Sequence, residues 1–147
     1  MSGSGAELRG RALHPGTANG EVLRLDTPVS FWGGVDAAGH IIDVHHPQCG
    51  QSVSGRVVVM TSGRGSSSAT AVLAEQIRAG TAPAALVLAE CDTILVIAAL
   101  VAAELYGVEM PIVQLSPEDL ELVVPGGASI RTELATLDAT LRYAAQC

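Results

Sequence analysis

The sequence contains no lysine, and this absence removes several kinds of chemistry at once. All eight basic residues are arginines, against fifteen acidic residues, and the formal net charge is -7. Without a lysine the chain can supply neither a Schiff-base nucleophile nor the phosphate-binding lysine of a Walker A loop. Because neutralising phosphates requires clustered cations, the acidic balance also argues against a nucleic acid or an anionic membrane as partner.

Aromatic residues and cysteines are also scarce. One Phe, one Trp and two Tyr leave a core to be built from aliphatic side chains, which suits strands backed by helices. Cys49, Cys91 and Cys147 are far apart and form no C-x-x-C pair, so they indicate a reducing cytoplasm and supply no metal site alone. We expect Cys49 and Cys91 to act as small hydrophobes. The longest apolar stretch, residues 93–106, is too short to span a bilayer.

The order of patterns along the chain predicts one α/β domain over residues 10–133, with a flexible leader over 1–9 and a C-terminal helix or tail over 134–147. Three continuous apolar runs, "RVVVM", "AALVLAE" and "MPIVQL", are typical of buried strands and alternate with helical patterns. This alternation favours parallel central strands with right-handed crossovers. Glycine-rich β segments on either side predict a second β layer.

Helix boundaries are marked by capping residues. A helix is expected over 67–79, and Asp92 is a candidate N-cap for a second helix that Gly107 ends. Ser116 followed by Pro117 has the form of an N-cap and first turn. These signals place the loops, where functional residues concentrate, between the strands and helices.

One of these loops, "TSGRGSSS", has the composition of an anion site. It follows a strand and opens a helix, so it lies at the carboxyl end of the sheet, where ligands bind in α/β folds. Gly65 allows a sharp turn, Ser66, Ser67 and Ser68 offer hydroxyl and N–H groups at a helix N-terminus, and Arg64 adds a cation suited to a carboxylate or phosphate. The alternative is that a serine only caps the helix and the glycines only make a turn.

A second candidate element is "SFWGGVD", which contains the only Phe and the only Trp. Trp32 beside Gly33 and Gly34 predicts a pocket wall at which a ligand approaches the backbone. Alternatively, Trp32 fills a gap between the sheet and the loop.

His45 and His46, with Asp43 nearby, have metal-ligating side chains. Adjacent residues of a strand face opposite ways and cannot easily share one metal. We therefore favour a surface or interface role for the pair, and the sequence predicts no metal ligand in this chain.

The order of the motifs resembles a known family. "SFWGGVD", "SGRGSSS" and "TAPAALVL" occur in the order found in the small subunit, or swivelling domain, of the aconitase X family, and the similarity runs from about Gly10 to about Ile130. The resemblance implies a swivelling β/β/α domain of the aconitase-like kind. It also implies a dehydratase whose active site is shared with a large subunit that carries the ligands of an iron–sulfur cluster.

The resemblance further implies a substrate and residue roles. Bacterial members dehydrate the small hydroxy acid cis-3-hydroxy-L-proline and archaeal members act on mevalonate 5-phosphate; the loop "GRGSSS" is more similar to the bacterial type. By the family pattern Ser66 is the proton-abstracting base, with Ser67 as the alternative. Arg64 and Ser67 would hold the substrate carboxylate. A non-catalytic anion-binding module that uses the same fold remains the other reading.

Overall fold

The computed structural model describes residues 5–63, 68–133 and 136–144. Within these ranges the chain forms seven strands and three helices. The strands are β1 Gly5–His14, β2 Thr17–Arg24, β3 Val57–Met60, β4 Ala85–Leu88, β5 Ile112–Gln114, β6 Gly127–Glu133 and β7 Asp138–Ala144. The helices are α1 Ser68–Ala79, α2 Thr93–Tyr106 and α3 Pro117–Leu122. None of the helices in the described ranges is long and apolar enough to cross a membrane.

The predicted parallel centre is confirmed. The strands β3, β4 and β5 pair in parallel, with Val58 opposite Leu86 and Val87 opposite Val113. Helices α1 and α2 make the crossovers between them, as expected for continuous apolar strands buried on both faces. The strand β2 extends the parallel set on the other side of β3, so four carboxyl ends lie at one edge.

The strands expected in a second β layer belong to the same closed sheet. In the described residues the order is β1-β5-β4-β3-β2-β6-β7, and β7 returns to pair with β1. The mixed α/β class is therefore confirmed, whereas a separate β layer is not what the strand pairing shows. Among the seven described strands, closure leaves none at an open edge of the sheet, which removes the usual liability of an open sheet.

Both ends of the chain contribute to this closure. Residues 5–9, expected in a flexible leader, form the first half of β1, with Gly5 opposite Ala144 and Arg11 opposite Asp138. The expectation of a helix or tail near the C-terminus is wrong for 138–144, which form β7. Here Leu141 alternates with exposed Arg142, and period-two burial stabilises a strand over the helix that an alanine-rich segment suggests.

Two buried clusters lie on opposite faces of the parallel strands. The barrel interior holds residues from all seven strands, closed at one end by Leu120 and Val123 from α3 and the residue after it. The other cluster joins the outer face of β3 and β4 to α1, α2 and the long segment between β2 and β3. That segment contains no strand of the barrel, but it contributes Phe31 and Ile41 to the second cluster, so its backbone is held against the helices.

The capping predictions are confirmed. Asp92 Oδ1 accepts hydrogen bonds from the backbone N–H groups of Ile94 at 2.9 Å and Leu95 at 3.4 Å, and Gly107 ends α2 with φ of 67°. Ser116 Oγ accepts from Asp119 N at 3.1 Å at the start of α3. Each contact satisfies a helix-end group that has no partner within the helix.

Candidate functional site

The serine-rich loop joins the end of β3 to the start of α1. Its central residues, Arg64, Gly65, Ser66 and Ser67, lie outside the described residues, so the roles expected for them stay predictions. The flanking residues 61–63 and Ser68 are described and fix where the loop begins and ends. They lie at the carboxyl edge of the parallel strands, as the sequence predicts.

The loop begins at a point where three strand ends are tied together. The carbonyl oxygen of Thr61 accepts hydrogen bonds from the N–H groups of both Ala89 and Glu90, each at 2.9 Å. The side-chain amide of Gln114 donates to the carbonyl oxygen of Ala89 at 3.1 Å. These bonds join the ends of β3, β4 and β5, so the loop starts from a fixed base.

Gly63 lies directly against the cap of α2. A Cβ atom added to Gly63 would lie 1.9 Å from Asp92 Oδ2 and 2.9 Å from Leu95 Cδ1. Only glycine fits this approach without moving a side chain, because Asp92 is held in place by its cap hydrogen bonds. Sequence reasoning assigned Asp92 to the cap alone; its second carboxylate oxygen also bounds the loop, and only the three-dimensional contact with Gly63 reveals this.

The two helix N-termini lie side by side at this edge. The hydroxyl of Thr70, in the first turn of α1, donates to the carbonyl oxygen of Ile94 in the first turn of α2 at 3.4 Å. Ala69 and Leu73 anchor α1 in the same buried cluster as Leu95. A helix N-terminus carries a partial positive charge, so the N-terminus of α1 favours a ligand with negative charge, whereas that of α2 is already capped by the Asp92 carboxylate.

The "SFWGG" element forms a tight turn whose side chains point to different environments. The Gly34 N–H donates to the Ser30 carbonyl oxygen at 3.1 Å, and a Cβ on Gly34 would lie 2.4 Å from that oxygen. Gly33 has a φ angle of 82°, a backbone conformation that residues with a side chain rarely adopt. Phe31 is only 1% exposed, whereas Trp32 is 59% exposed.

Trp32 therefore does not fill a core gap. With Gly33 and Gly34 it lines a cavity of about 260 Å³ whose wall also includes Ser30 and Asp43. Pro28 completes the lining. The three residues thus border a cavity, and their contact with a ligand stays a prediction. From the sequence, Asp43 was noted only beside the two histidines and Ser30 only as the first residue of the aromatic motif, so neither was predicted to line this cavity.

The turn belongs to a segment that is tied to α1. The side-chain amide of Gln76 donates to the Asp36 carbonyl oxygen at 3.0 Å. The carboxylate of Asp36 accepts from the N–H groups of His40 at 2.8 Å and Ala38 at 3.0 Å. These bonds, the one from His40 first, lower the pKa of Asp36 below its ordinary value. The aromatic turn is thus held near α1, the helix that follows the serine loop.

The two histidines differ in environment. They lie in a turn and not in the strand that the sequence suggested. His45 is exposed, whereas the buried His46 contacts the Thr27 carbonyl oxygen through Nε2 at 2.8 Å and accepts from Gln48 N through Nδ1 at 3.0 Å. Both ring nitrogens of His46 are therefore engaged in holding the segment together, which is a structural role.

The described residues do not form a metal centre. Among them, no three His, Cys, Asp or Glu side chains lie close enough together to hold a metal ion. Cys49 and Cys91 are both exposed free thiols, which differs from the expectation that they behave as small hydrophobes. The described side chains therefore do not fit an iron–sulfur cluster.

A closed barrel with parallel central strands and two crossover helices defines a mixed α/β barrel domain. Residues 7–137 match the family described as the aconitase X swivel domain. The chain belongs to this family.

The structural comparison agrees. The holo-form crystal structure of Thermococcus kodakaraensis aconitase X superposes with a TM-score of 0.76 and 28% identity, covering 92% of this chain and 98% of that one.

Curated relatives fall into two groups. Over 69% of this chain, the sequence is 48% identical to cis-3-hydroxy-L-proline dehydratase of Pseudomonas aeruginosa. Over 79% of this chain, it is 37% identical to the Hypocrea jecorina protein of the same name. It spans about a fifth of those two proteins, 18% and 20%. The phosphomevalonate dehydratase small subunit of Methanopyrus kandleri is 39% identical, over 73% of this chain and 82% of that protein.

Proposed function

We propose that this chain is the small, swivelling subunit of an iron–sulfur hydro-lyase that converts cis-3-hydroxy-L-proline to Δ1-pyrroline-2-carboxylate. The observation that carries the proposal is the 48% identity to the Pseudomonas aeruginosa dehydratase over 103 residues, against 39% over 111 residues for the Methanopyrus kandleri small subunit. A domain that supplies substrate contacts should retain more of its sequence between proteins that act on the same substrate.

In this proposal Ser66 removes the proton from the substrate α-carbon. A serine hydroxyl is a weak base, so it needs nearby donors and cations that stabilise its alkoxide. The N-terminus of α1 supplies part of that field, and Arg64 adds a full positive charge. Arg64 and Ser67 hold the substrate carboxylate, with Gly65 and Ser68 allowing the backbone to approach it.

The position of the loop supports these roles. Its base is fixed by the hydrogen bonds to Thr61 and its first turn is bounded by Asp92. A catalytic group gains when its supporting residues are held rigidly, because less reorganisation is then required at the moment of reaction. Trp32, Gly33 and Gly34 form a wall for the pyrrolidine ring, since an exposed aromatic face beside bare backbone suits a small cyclic ligand.

The same surface supports a requirement for a large subunit. Trp32, Ile42 and Val44 are all exposed and lie in one segment, and exposed apolar groups of this kind mark interaction sites. We infer that a large aconitase X-type subunit covers them and carries the ligands of the iron–sulfur cluster. The described side chains of this chain do not fit the cluster themselves.

The second candidate is the small subunit of a phosphomevalonate dehydratase. This candidate is favoured by the length of the match and not by the sequence identity, since the chain covers 82% of the Methanopyrus kandleri small subunit. A third candidate, a non-catalytic anion-binding module, needs no partner.

Co-expression with the large subunit encoded nearest to this chain, anaerobic purification and parallel assays with cis-3-hydroxy-L-proline and mevalonate 5-phosphate distinguish the three. We expect turnover of the hydroxyproline only when both chains are present. Turnover of mevalonate 5-phosphate alone would select the second candidate. An assembled, cluster-loaded complex that dehydrates neither would contradict the dehydratase proposal.

The serine roles are tested in the same complex. Ser66→Ala should abolish turnover and leave assembly intact, whereas Ser67→Ala should mainly raise KM. Ser62→Ala, in the same loop, is the matched control and should retain turnover. Loss of turnover in Ser67→Ala with near-normal activity in Ser66→Ala would transfer the base role to Ser67.

A further inference from the structure

The barrel wall away from α1 and α2 carries a cationic cavity. It has a volume of about 460 Å³, within the usual range for small-ligand sites. Its lining comes from β1, β2, β6 and β7, and consists of Glu7, Arg9, Thr17, Ser129, Ile130, Arg131, Thr140 and Arg142. Three of the chain's eight arginines meet here, although the net charge of the protein is strongly negative.

Strand pairing explains why these side chains converge. Arg9 lies opposite Thr140, Thr140 opposite Arg131, and Arg131 opposite Thr17, so one row crosses all four strands. In the adjacent row Arg142 lies between Glu7 and Ser129. Residues directly opposite one another on neighbouring strands share a face and their Cβ atoms are about 5 Å apart.

The arginines are only partly neutralised. Glu7 accepts a hydrogen bond from Arg142 Nε at 2.9 Å and lies 3.8 Å from Arg9 Nε. Both contacts use the inner nitrogen, so the terminal nitrogens of these two arginines have no partner within the described ranges. The side chain of Arg131 likewise forms no hydrogen bond or ion pair with the described residues. Three guanidinium groups and one carboxylate leave a charge of about two positive units.

We propose that this cavity binds a small dianion with several oxygen atoms, either a phosphate monoester or a di- or tricarboxylate. Guanidinium groups recognise both kinds of oxyanion through paired N–H donors. The hydroxyls of Thr17, Ser129 and Thr140 supply further donors at the same face. The site is formed by strands and is separate from the serine loop, so it does not depend on the dehydratase proposal.

The test is an NMR titration of the full chain with inorganic phosphate and, separately, with citrate, at low ionic strength, where screening is weak. We expect backbone amide shifts to concentrate at Arg131, Thr140 and Arg142, and Arg131→Gln to weaken binding about tenfold or more, as loss of a charge-assisted hydrogen bond would. Stronger binding of phosphate would indicate a phosphate ester; stronger binding of citrate, a polycarboxylate.

Arg11→Gln is the matched control. It removes the same charge from an exposed position of β1 but outside the cavity, and should leave the affinity unchanged. The proposal would be overturned by an absence of shifts with both anions, by shifts confined to the residues flanking the serine loop, or by equal weakening in Arg11→Gln and Arg131→Gln. Failure of the dehydratase assay would leave this result unaffected.

Discussion

Replacing Gly63 with alanine should destabilise the protein through the cap of α2. The new Cβ would lie 1.9 Å from Asp92 Oδ2, 2.8 Å from Asp92 Cγ and 2.9 Å from Leu95 Cδ1. Asp92 must then leave its cap position, which costs about 1 kcal/mol. Displacing Leu95, which is buried, adds roughly 1–2 kcal/mol of overpacking. The reduced entropy of the unfolded chain offsets about 0.5 kcal/mol.

The net expected loss is about 2 kcal/mol, which corresponds to roughly 4–8 °C in Tm for a chain of this size. Urea denaturation followed by far-UV circular dichroism measures it. The matched control is Gly127→Ala, since a Cβ at Gly127 meets nothing within 4 Å; this variant should be neutral or slightly more stable.

A double-mutant cycle isolates the contact. In an Asp92→Ala background the clash with the carboxylate is absent, so adding Gly63→Ala should cost about 1 kcal/mol less than in the wild-type chain, and the remaining cost comes from the contact with Leu95. Equal costs in the two backgrounds, or a neutral Gly63→Ala in the wild-type chain, would refute the argument that Asp92 bounds the loop.

Three further outcomes follow from described side chains. Phe31→Ala should lower the free energy of unfolding by about 3–5 kcal/mol, because Phe31 is buried. Trp32 is exposed, so Trp32→Ala should change the free energy of unfolding by less than about 0.5 kcal/mol and should instead raise KM in the complex. A large loss of stability in a urea melt of Trp32→Ala, with KM unchanged, would show that Trp32 is a core residue. The pKa of Asp36 is lowered by the His40 N–H, so its contribution to stability is present at neutral pH and is lost as the pH falls through the folded pKa; carboxyl NMR would contradict this if Asp36 titrated at its ordinary value. His46→Ala should cost about 1–3 kcal/mol because two backbone groups lose their partner, and a thermal melt unchanged from wild type would refute that role.

The parts of the fold that were predictable are those determined by neighbouring residues. Asp92 and Gly107 define the ends of α2, and Ser116 with Pro117 starts α3, because caps act within one helical turn. The three continuous apolar runs likewise predict the buried strands β3, β4 and β5. The carboxyl-edge location of the serine loop follows from this order alone.

The remaining features depend on contacts between distant residues. Pairing of residues 5–11 with 138–144 cannot be deduced from either segment, because each is short and depends for its pairing on strands that are distant or separately placed in the sequence. The same limit applies to the candidate site. The sequence identified Trp32 but not that Phe31, its neighbour, would be the buried member of the pair, and the contact of Gly63 with Asp92 joins residues on separate loops.

The pairing of β1 with β7 also determines when the domain can fold. Until residues 138–144 have left the ribosome, β1 lacks one neighbour and β6 lacks the other, so two strand edges are exposed. Closing a sheet between the first and last strands requires contacts of the highest sequence separation, which slow folding. We therefore expect the nascent chain to remain vulnerable to aggregation until synthesis of the last strand is complete.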